Sequence, residues 1–69
     1  PHGRIDMVVM THTRIFIIEF KLNRDAQTAL HQINLKNYGK RFALSALPVT
    51  KVGVNFDSEK GNITDWVIE

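Results

Sequence analysis

The chain has 69 residues, enough for one small domain over residues 1–69, and it starts without an initiator methionine, so we expect a fragment of a longer protein. It contains no cysteine, which excludes disulfides and cysteine-ligated zinc, and nothing indicates an oxidising compartment, so we expect a cytoplasmic protein. The net charge of +2 permits a polyanionic partner without requiring one, and no apolar run approaches the ~18 residues of a membrane span.

Two apolar segments open the chain and predict two β-strands. Residues Arg4–Met10 are rich in β-branched and apolar side chains, and residues Arg14–Leu22 repeat this composition after a polar break at Thr11–Thr13. Both segments are apolar at nearly every position, which is typical of strands whose two faces are both covered.

A helix is predicted next. Residues Asn23–Asp25 look like a helix start, because the side chains of Asn23 and Asp25 can accept hydrogen bonds from the free amides of a first helical turn. From Ala26 onward the apolar residues recur with helical spacing, and Gly39 is expected to stop or loosen the helix. Three cations near its end are expected to interact favourably with the negative end of the helix dipole, and the alternative is that they contact the DNA backbone. They are Lys36, Lys40 and Arg41.

The second half of the chain predicts a short irregular or helical segment over residues 42–47, then a third strand over Val49–Phe56 and a fourth over Asn62–Glu69. Gly61 lies in the turn between them, where it can take a positive φ. The order strand, strand, helix, strand, strand predicts an α/β mixed sheet with a helix on one face and a parallel central pair. Four aromatic residues are expected in its core: Phe16, Phe20, Phe56 and Trp66.

The register of the first hairpin brings charged residues together. A two-residue loop over residues 12–13 pairs Asp6 with Glu19, whose side chains then share one face with Cβ atoms roughly 5 Å apart. Lys21 lies two residues further on, so it projects from that face as well, opposite Arg4.

This constellation suggests a metal site, because two neighbouring carboxylates repel each other and a divalent cation relieves the repulsion. Mg²⁺ prefers hard oxygen ligands, so Asp6 and Glu19 could hold it, with the backbone carbonyl of Phe20 completing the coordination sphere. Lys21 could orient a water or stabilise charge on a phosphate. The alternative is a surface ion-pair cluster that also includes Arg4, which could instead contact phosphate.

These residues resemble the motif of the PD-(D/E)XK nuclease superfamily, in which a hydrophobic strand leads into Glu-x-Lys. The match comprises Gly3–Asp6 and then, thirteen residues after the aspartate, Glu19–Lys21. Further residues look like one bacterial branch whose nuclease-like domain follows an AAA-type ATPase-like domain. They are Ala29–Ile33, Tyr38, Val52–Phe56, Asn62, Ile63 and Trp66.

The resemblance implies a restriction-endonuclease-like fold and hydrolysis of DNA phosphodiester bonds with Mg²⁺ or Mn²⁺. By position, Asp6 and Glu19 match the metal-binding carboxylates and Lys21 the catalytic lysine. Gln32 matches a helix glutamine that faces the active site in the recombination-nuclease branch. That branch has a tyrosine four residues later, whereas Tyr38 lies six residues later here.

The superfamily core also has a helix and a strand ahead of the Gly-Arg-x-Asp segment, and these 69 residues do not include them. Truncated sheet edges favour self-association, so a homodimer joins DNA and the ATPase-like domain among the expected partners. Two alternatives to a nuclease stay open. One is a non-catalytic module for docking or dimerisation, and the other is a DNA-binding module that does not cut.

Overall fold

The computed structural model describes residues 6–36, 42 and 44–69. Their elements follow the predicted order: β1 (Met7–Met10), β2 (Ile15–Leu22), α1 (Ala26–Leu35), β3 (Val49–Asp57) and β4 (Asn62–Ile68). No helix in this part of the chain is both long and apolar enough to cross a lipid bilayer. Several predictions concern residues outside the described ranges, namely Gly3, Arg4, Ile5, Tyr38, Gly39, Lys40 and Arg41.

The described strands form one four-stranded sheet in the order β1-β2-β3-β4. The two outer pairs are antiparallel hairpins, and the central pair β2–β3 is parallel. Parallel neighbours require a crossover connection, and α1 supplies it while packing on one face of the sheet. The predicted α/β mixed sheet with a helix on one face is therefore confirmed.

The register of the first hairpin is also confirmed. Met10 pairs with Ile15, and the pairing continues outward in single steps to Met7 with Ile18. Thr11 closes the loop, because its hydroxyl accepts a hydrogen bond from the amide of Arg14 at 3.0 Å and donates one to the carbonyl of the same residue at 3.0 Å. One polar side chain thus fixes the loop length, and with it the face on which every later residue of β2 lies.

Carboxylates hold the first turn of α1, as the sequence predicts. Asp25 is the N-cap and accepts from the amide of Thr28 at 2.7 Å. That bond, with the Thr28 hydroxyl, lowers the pKa of Asp25 below its ordinary value of 3.8. Asp65 of β4 accepts from the amide of Ala26 at 2.8 Å. The helix start is therefore tied both to its own cap and to the far edge of the sheet.

A buried asparagine anchors the loop that leads into the helix. Asn55 of β3 is 4% exposed, and its carbonyl oxygen accepts from the amide of Arg24 at 2.8 Å. Its amide nitrogen donates to the hydroxyl of Thr64 on β4 at 3.4 Å. Because both ends of this side chain have partners, its burial is tolerated, and it links the β2–α1 loop, β3 and β4.

Gly53 allows α1 to lie directly on the sheet. A Cβ at this position would meet the carbonyl oxygen of Ala26 and lie 2.8 Å from the amide nitrogen of Leu30. Both atoms belong to the helix backbone, which cannot rotate out of the way. The absence of a side chain therefore sets how closely the helix approaches β3.

The core lies between α1 and one face of the sheet. Its fully buried side chains are Ile15 and Ile17 of β2 and Ile33 of α1, with the partly buried residues Phe42, Leu47 and Val49 packed against them. Alternation along the strands sends the intervening residues to the opposite face, which no described helix covers.

The prediction that four aromatic residues lie in the core is therefore wrong for all four. Phe20 is 42% exposed, Phe56 38% and Trp66 64%, and Phe16 is half-buried. All four project from the sheet face opposite α1, because each alternates with a residue that faces the helix. The expectation of two covered faces is likewise not met within the described residues, whose one α-helix covers one face.

We predict that Gly53→Ala destabilises the protein by about 3 kcal/mol, because the added methyl group meets backbone atoms that cannot give way. Gly61→Ala is the control: its φ is +66° but nothing lies within 4 Å, so only backbone strain of about 1 kcal/mol is expected. Chemical denaturation followed by circular dichroism measures both. Equal losses in the two variants would contradict the close helix approach.

Candidate active site

Glu19 lies inside the protein although it carries a charge. It occupies β2, an inner strand of the sheet, and follows Ile15 and Ile17 on the face that α1 covers, so it is only 5% exposed. Its neighbour across the β2–β3 pair is Gly53, where the helix comes closest to the sheet. Burying a carboxylate is costly unless a cation or hydrogen-bond donors compensate it.

Lys36 provides compensation from the end of α1. Its ammonium nitrogen lies 3.4 Å from Oε1 and 3.3 Å from Oε2 of Glu19, so it faces both carboxylate oxygens. The two side chains are 15% and 6% exposed, respectively. These distances exceed the roughly 2.7–2.9 Å of a tight charge-assisted bond, so the pair neutralises the charge without filling the hydrogen-bonding capacity of Glu19.

Asp6 reaches the same point of the hairpin from the other strand. It directly precedes β1, and one more step of the observed register places it opposite Glu19. Its Oδ2 accepts a hydrogen bond from the amide of Phe20 at 2.8 Å. The Asp6 carboxylate therefore lies against the backbone that immediately follows Glu19.

Phe20 and Lys21 complete the predicted set. In a strand the amide and carbonyl of one residue point to the same side, so the carbonyl of Phe20 faces the edge where its amide meets Asp6. Lys21 alternates with Phe20 and projects from the same face as Glu19; it is half-buried. Within the described residues no acid forms a salt bridge with Lys21.

Gln32 lies on α1, half-buried as its position at the border of the apolar stripe predicts. It precedes Lys36 by four residues, so both side chains lie on one side of the helix. Lys36 reaches Glu19, and Gln32 is therefore on the side of the helix that faces the acid. No described hydrogen bond joins Gln32 to Glu19.

Lys36 is the site residue that sequence analysis missed, because it was grouped with the other cations at the helix end. Its spacing carried the signal. It stands four residues after Gln32, the position of the tyrosine in the recombination-nuclease branch, whereas Tyr38 lies outside the described residues. The predicted contacts of Arg4, Lys40 and Arg41 also fall outside them.

The donors gathered here are of the kind that Mg²⁺ and Mn²⁺ prefer. Two carboxylates and a backbone carbonyl are hard oxygen ligands, and Mg²⁺ commonly takes one or two carboxylates while keeping several waters. In the described part of the chain no three His, Cys, Asp or Glu side chains cluster as a metal site. Waters or substrate oxygens would therefore complete the sphere around Asp6 and Glu19. The loosely compensated Glu19 carboxylate fits such an ion.

The mixed sheet, the helix packed on it and the Asp…Glu-x-Lys arrangement of the described residues are those of a nuclease-like α/β fold. The chain belongs to the PD-(D/E)XK nuclease superfamily, whose family model matches residues 1–66. A curated relative, described as an uncharacterized protein in the vnfD 5' region of Azotobacter chroococcum mcd 1, is 31% identical over 70 residues. The match covers 99% of this chain and 14% of that relative. No solved structure matches the chain.

We predict that Asp6→Ala accelerates hydrogen exchange at the Phe20 amide at least about fivefold, because one hydrogen bond at this edge is lost. Asp6→Asn is the matched control, since its side-chain oxygen still accepts from the same amide. Exchange monitored by two-dimensional NMR distinguishes the two. An unchanged Phe20 amide in the alanine variant would place the Asp6 carboxylate elsewhere.

Proposed function

We propose that this chain carries the catalytic centre of a metal-dependent nuclease that hydrolyses phosphodiester bonds of DNA. The observation that supports it best is the buried carboxylate of Glu19. Asp6 lies next to it, because its carboxylate accepts a hydrogen bond from the amide of Phe20, the residue that follows Glu19. A surface ion-pair cluster does not account for an acid that is 5% exposed. Membership of the nuclease superfamily points to the same class of chemistry.

In this proposal Asp6 and Glu19 hold Mg²⁺ or Mn²⁺, with the carbonyl of Phe20 as a further ligand. A bound divalent ion supplies Lewis acidity and lowers the pKa of a bound water. The protein contributes fixed positions: the hairpin loop sets the pairing of the acids, and α1 keeps bulk water away from Glu19. Ligands that are already in place lose little freedom when the ion and substrate arrive.

Lys21 is proposed to position the attacking water and to stabilise negative charge on the scissile phosphate. It shares the sheet face of Glu19, and no described acid engages its ammonium in a salt bridge. A cation in a partly buried site interacts more strongly with developing charge than one in water. Gln32 is a weaker proposal, as a positioning residue on the helix side that faces Glu19.

We further propose that the chain is the nuclease-like domain of a longer bacterial protein with an ATPase-like domain upstream. The matched region covers 14% of the curated relative, which supports a longer protein. The ATPase-like domain is proposed only from the resemblance to the bacterial branch described above. DNA is the proposed substrate because the chain carries a net charge of +2 and the superfamily is one of nucleases.

A docking role is a second candidate, favoured by the apolar sheet face opposite α1. The exposed residues of this face include Phe20, Leu22, Phe56, Trp66 and Ile68. Contiguous apolar surface of this kind is typical of sites that another protein segment covers. We propose that a segment of the longer protein covers it, and that in the isolated chain a second copy takes its place. Such docking is compatible with catalysis at the opposite face.

The nuclease proposal is tested by plasmid nicking with Mg²⁺ and the full-length protein. Lys21→Ala should lower the rate by roughly 10²- to 10³-fold, as expected for loss of one charge-stabilising group. Asp6→Asn and Glu19→Gln should abolish the metal-dependent rate, because each removes a charged ligand while retaining the size of the side chain.

Lys60→Ala is the matched control for that assay, since Lys60 is exposed in the β3–β4 turn and the same charge is lost there. Its rate should stay close to that of the wild type. Equal cutting by the Lys21 and Lys60 variants would remove the proposed mechanism. Salt-dependent DNA binding without any nicking would instead identify a module that binds and does not cut.

The docking proposal is tested by Trp66→Lys. In the isolated chain this change should weaken self-association at least about tenfold in analytical ultracentrifugation, because it places a charge in an apolar contact. His12→Lys adds the same charge in the exposed β1–β2 turn and should have no such effect. In the full-length protein Trp66→Lys should lower the melting temperature. An unchanged melting temperature there would show that no segment covers this face.

A further inference from the structure

The ammonium of Lys36 and a metal ion bound to Glu19 would compete for the same carboxylate. The Lys36 nitrogen is nearly equidistant from the two oxygens of Glu19, at 3.3 and 3.4 Å, so it lies in front of the carboxylate and not beside it. An Mg²⁺ ligand distance is only ~2.0–2.1 Å, so an ion in front of the carboxylate would lie close to the ammonium in a mostly buried site, where the two cations repel each other strongly. Both cannot occupy the position in front of these two oxygens.

The position of Lys36 suits a counter-cation that can leave. It follows the last residue of α1, and its side chain is 15% exposed, so the ammonium lies at the border between the site and solvent. A lysine carries a compact charge on a flexible four-carbon stem, and its distances to Glu19 are longer than those of a tight ion pair. The contact therefore compensates the charge of Glu19 at distances longer than those of a tight ion pair.

We propose that Lys36 is a built-in counter-cation that neutralises Glu19 in the metal-free protein and is displaced from it by the divalent ion. This rests on the proposed nuclease function and deepens it. Lys36 then stabilises the fold before metal binds, because it prevents an uncompensated buried charge. It also raises the metal concentration at which the site fills, since the ion has to replace an existing partner of Glu19.

The test is Mn²⁺ binding by isothermal titration calorimetry, with the full-length protein free of nucleotide and DNA. Lys36→Met keeps the apolar stem and removes the charge. The Glu19-dependent affinity for Mn²⁺ is defined as the affinity that is lost in Glu19→Gln. This affinity should rise roughly ten- to hundredfold in Lys36→Met, because the ion no longer has to replace a hydrogen bond to a charged group. Binding elsewhere in the protein remains in Glu19→Gln and is subtracted.

Lys51→Met is the matched control. Lys51 also contacts α1, through a bond of 2.8 Å to the side-chain oxygen of Asn34, and lies 3.8 Å from a carboxylate oxygen of Glu69. Its described partners are Asn34 and Glu69 and do not include Glu19, so its loss should leave the Glu19-dependent Mn²⁺ affinity close to that of the wild type. Thermal melting gives a second readout. In EDTA, Lys36→Met should have a lower melting temperature than the wild type, and addition of Mn²⁺ should raise its melting temperature by more than it raises that of the wild type.

The outcomes separate the two proposals. Equal Glu19-dependent affinity in wild type and Lys36→Met would overturn the counter-cation role and leave the metal site intact. Absence of Glu19-dependent Mn²⁺ binding in every variant would overturn both. If Lys36→Met does not fold, Lys36→Gln serves in its place, since its amide can still donate to Glu19 without a charge. It too should bind Mn²⁺ more tightly than wild type, and unchanged affinity would again overturn the role.

Discussion

The rest of this structure depends on the approach of α1 to the sheet at Gly53. Because that residue has no Cβ, the backbone of the first helical turn rests directly on β3, beside the position of Glu19 on the neighbouring strand. The helix placed in this way covers Ile15 and Ile17 and encloses the Glu19 carboxylate. One close contact thus builds both the apolar core and the low-dielectric surroundings in which a charge attracts cations strongly.

A buried acid in such surroundings needs a positive partner, which can be a side chain of the protein or a bound metal ion. Lys36 meets the need from the helix end, while Asp6, held on the Phe20 amide, adds a second acid that a divalent ion could bridge with the first. In the proposed roles, the lysine compensates Glu19 when no metal is bound, and the two acids hold the divalent ion once it is present. The stability of the fold and the proposed metal binding therefore both depend on compensating the buried charge of Glu19. This shared dependence is consistent with the long distance between Lys36 and Glu19.

Much of the fold and part of the site follow from local patterns. The strand periods, the two-residue loop and the Asp25 cap involve residues close in sequence, so the element order, the hairpin register and the helix start were predicted correctly. The core was predicted less well, because an apolar strand does not reveal which of its faces another element covers. Trp66 and Phe20 have core composition but lie on the face that the described residues leave open.

The sequence by itself predicted that two acids are paired on a hairpin with Lys21 beyond them, and it resembles the PD-(D/E)XK nucleases. Alternation and loop length suffice for that, since they act over a few residues. Only the tertiary structure decided that Glu19 is buried and that Lys36 binds it. Those two facts depend on how closely and at what position a helix crosses the sheet, and that is set by backbone contact at Gly53 between segments more than twenty residues apart.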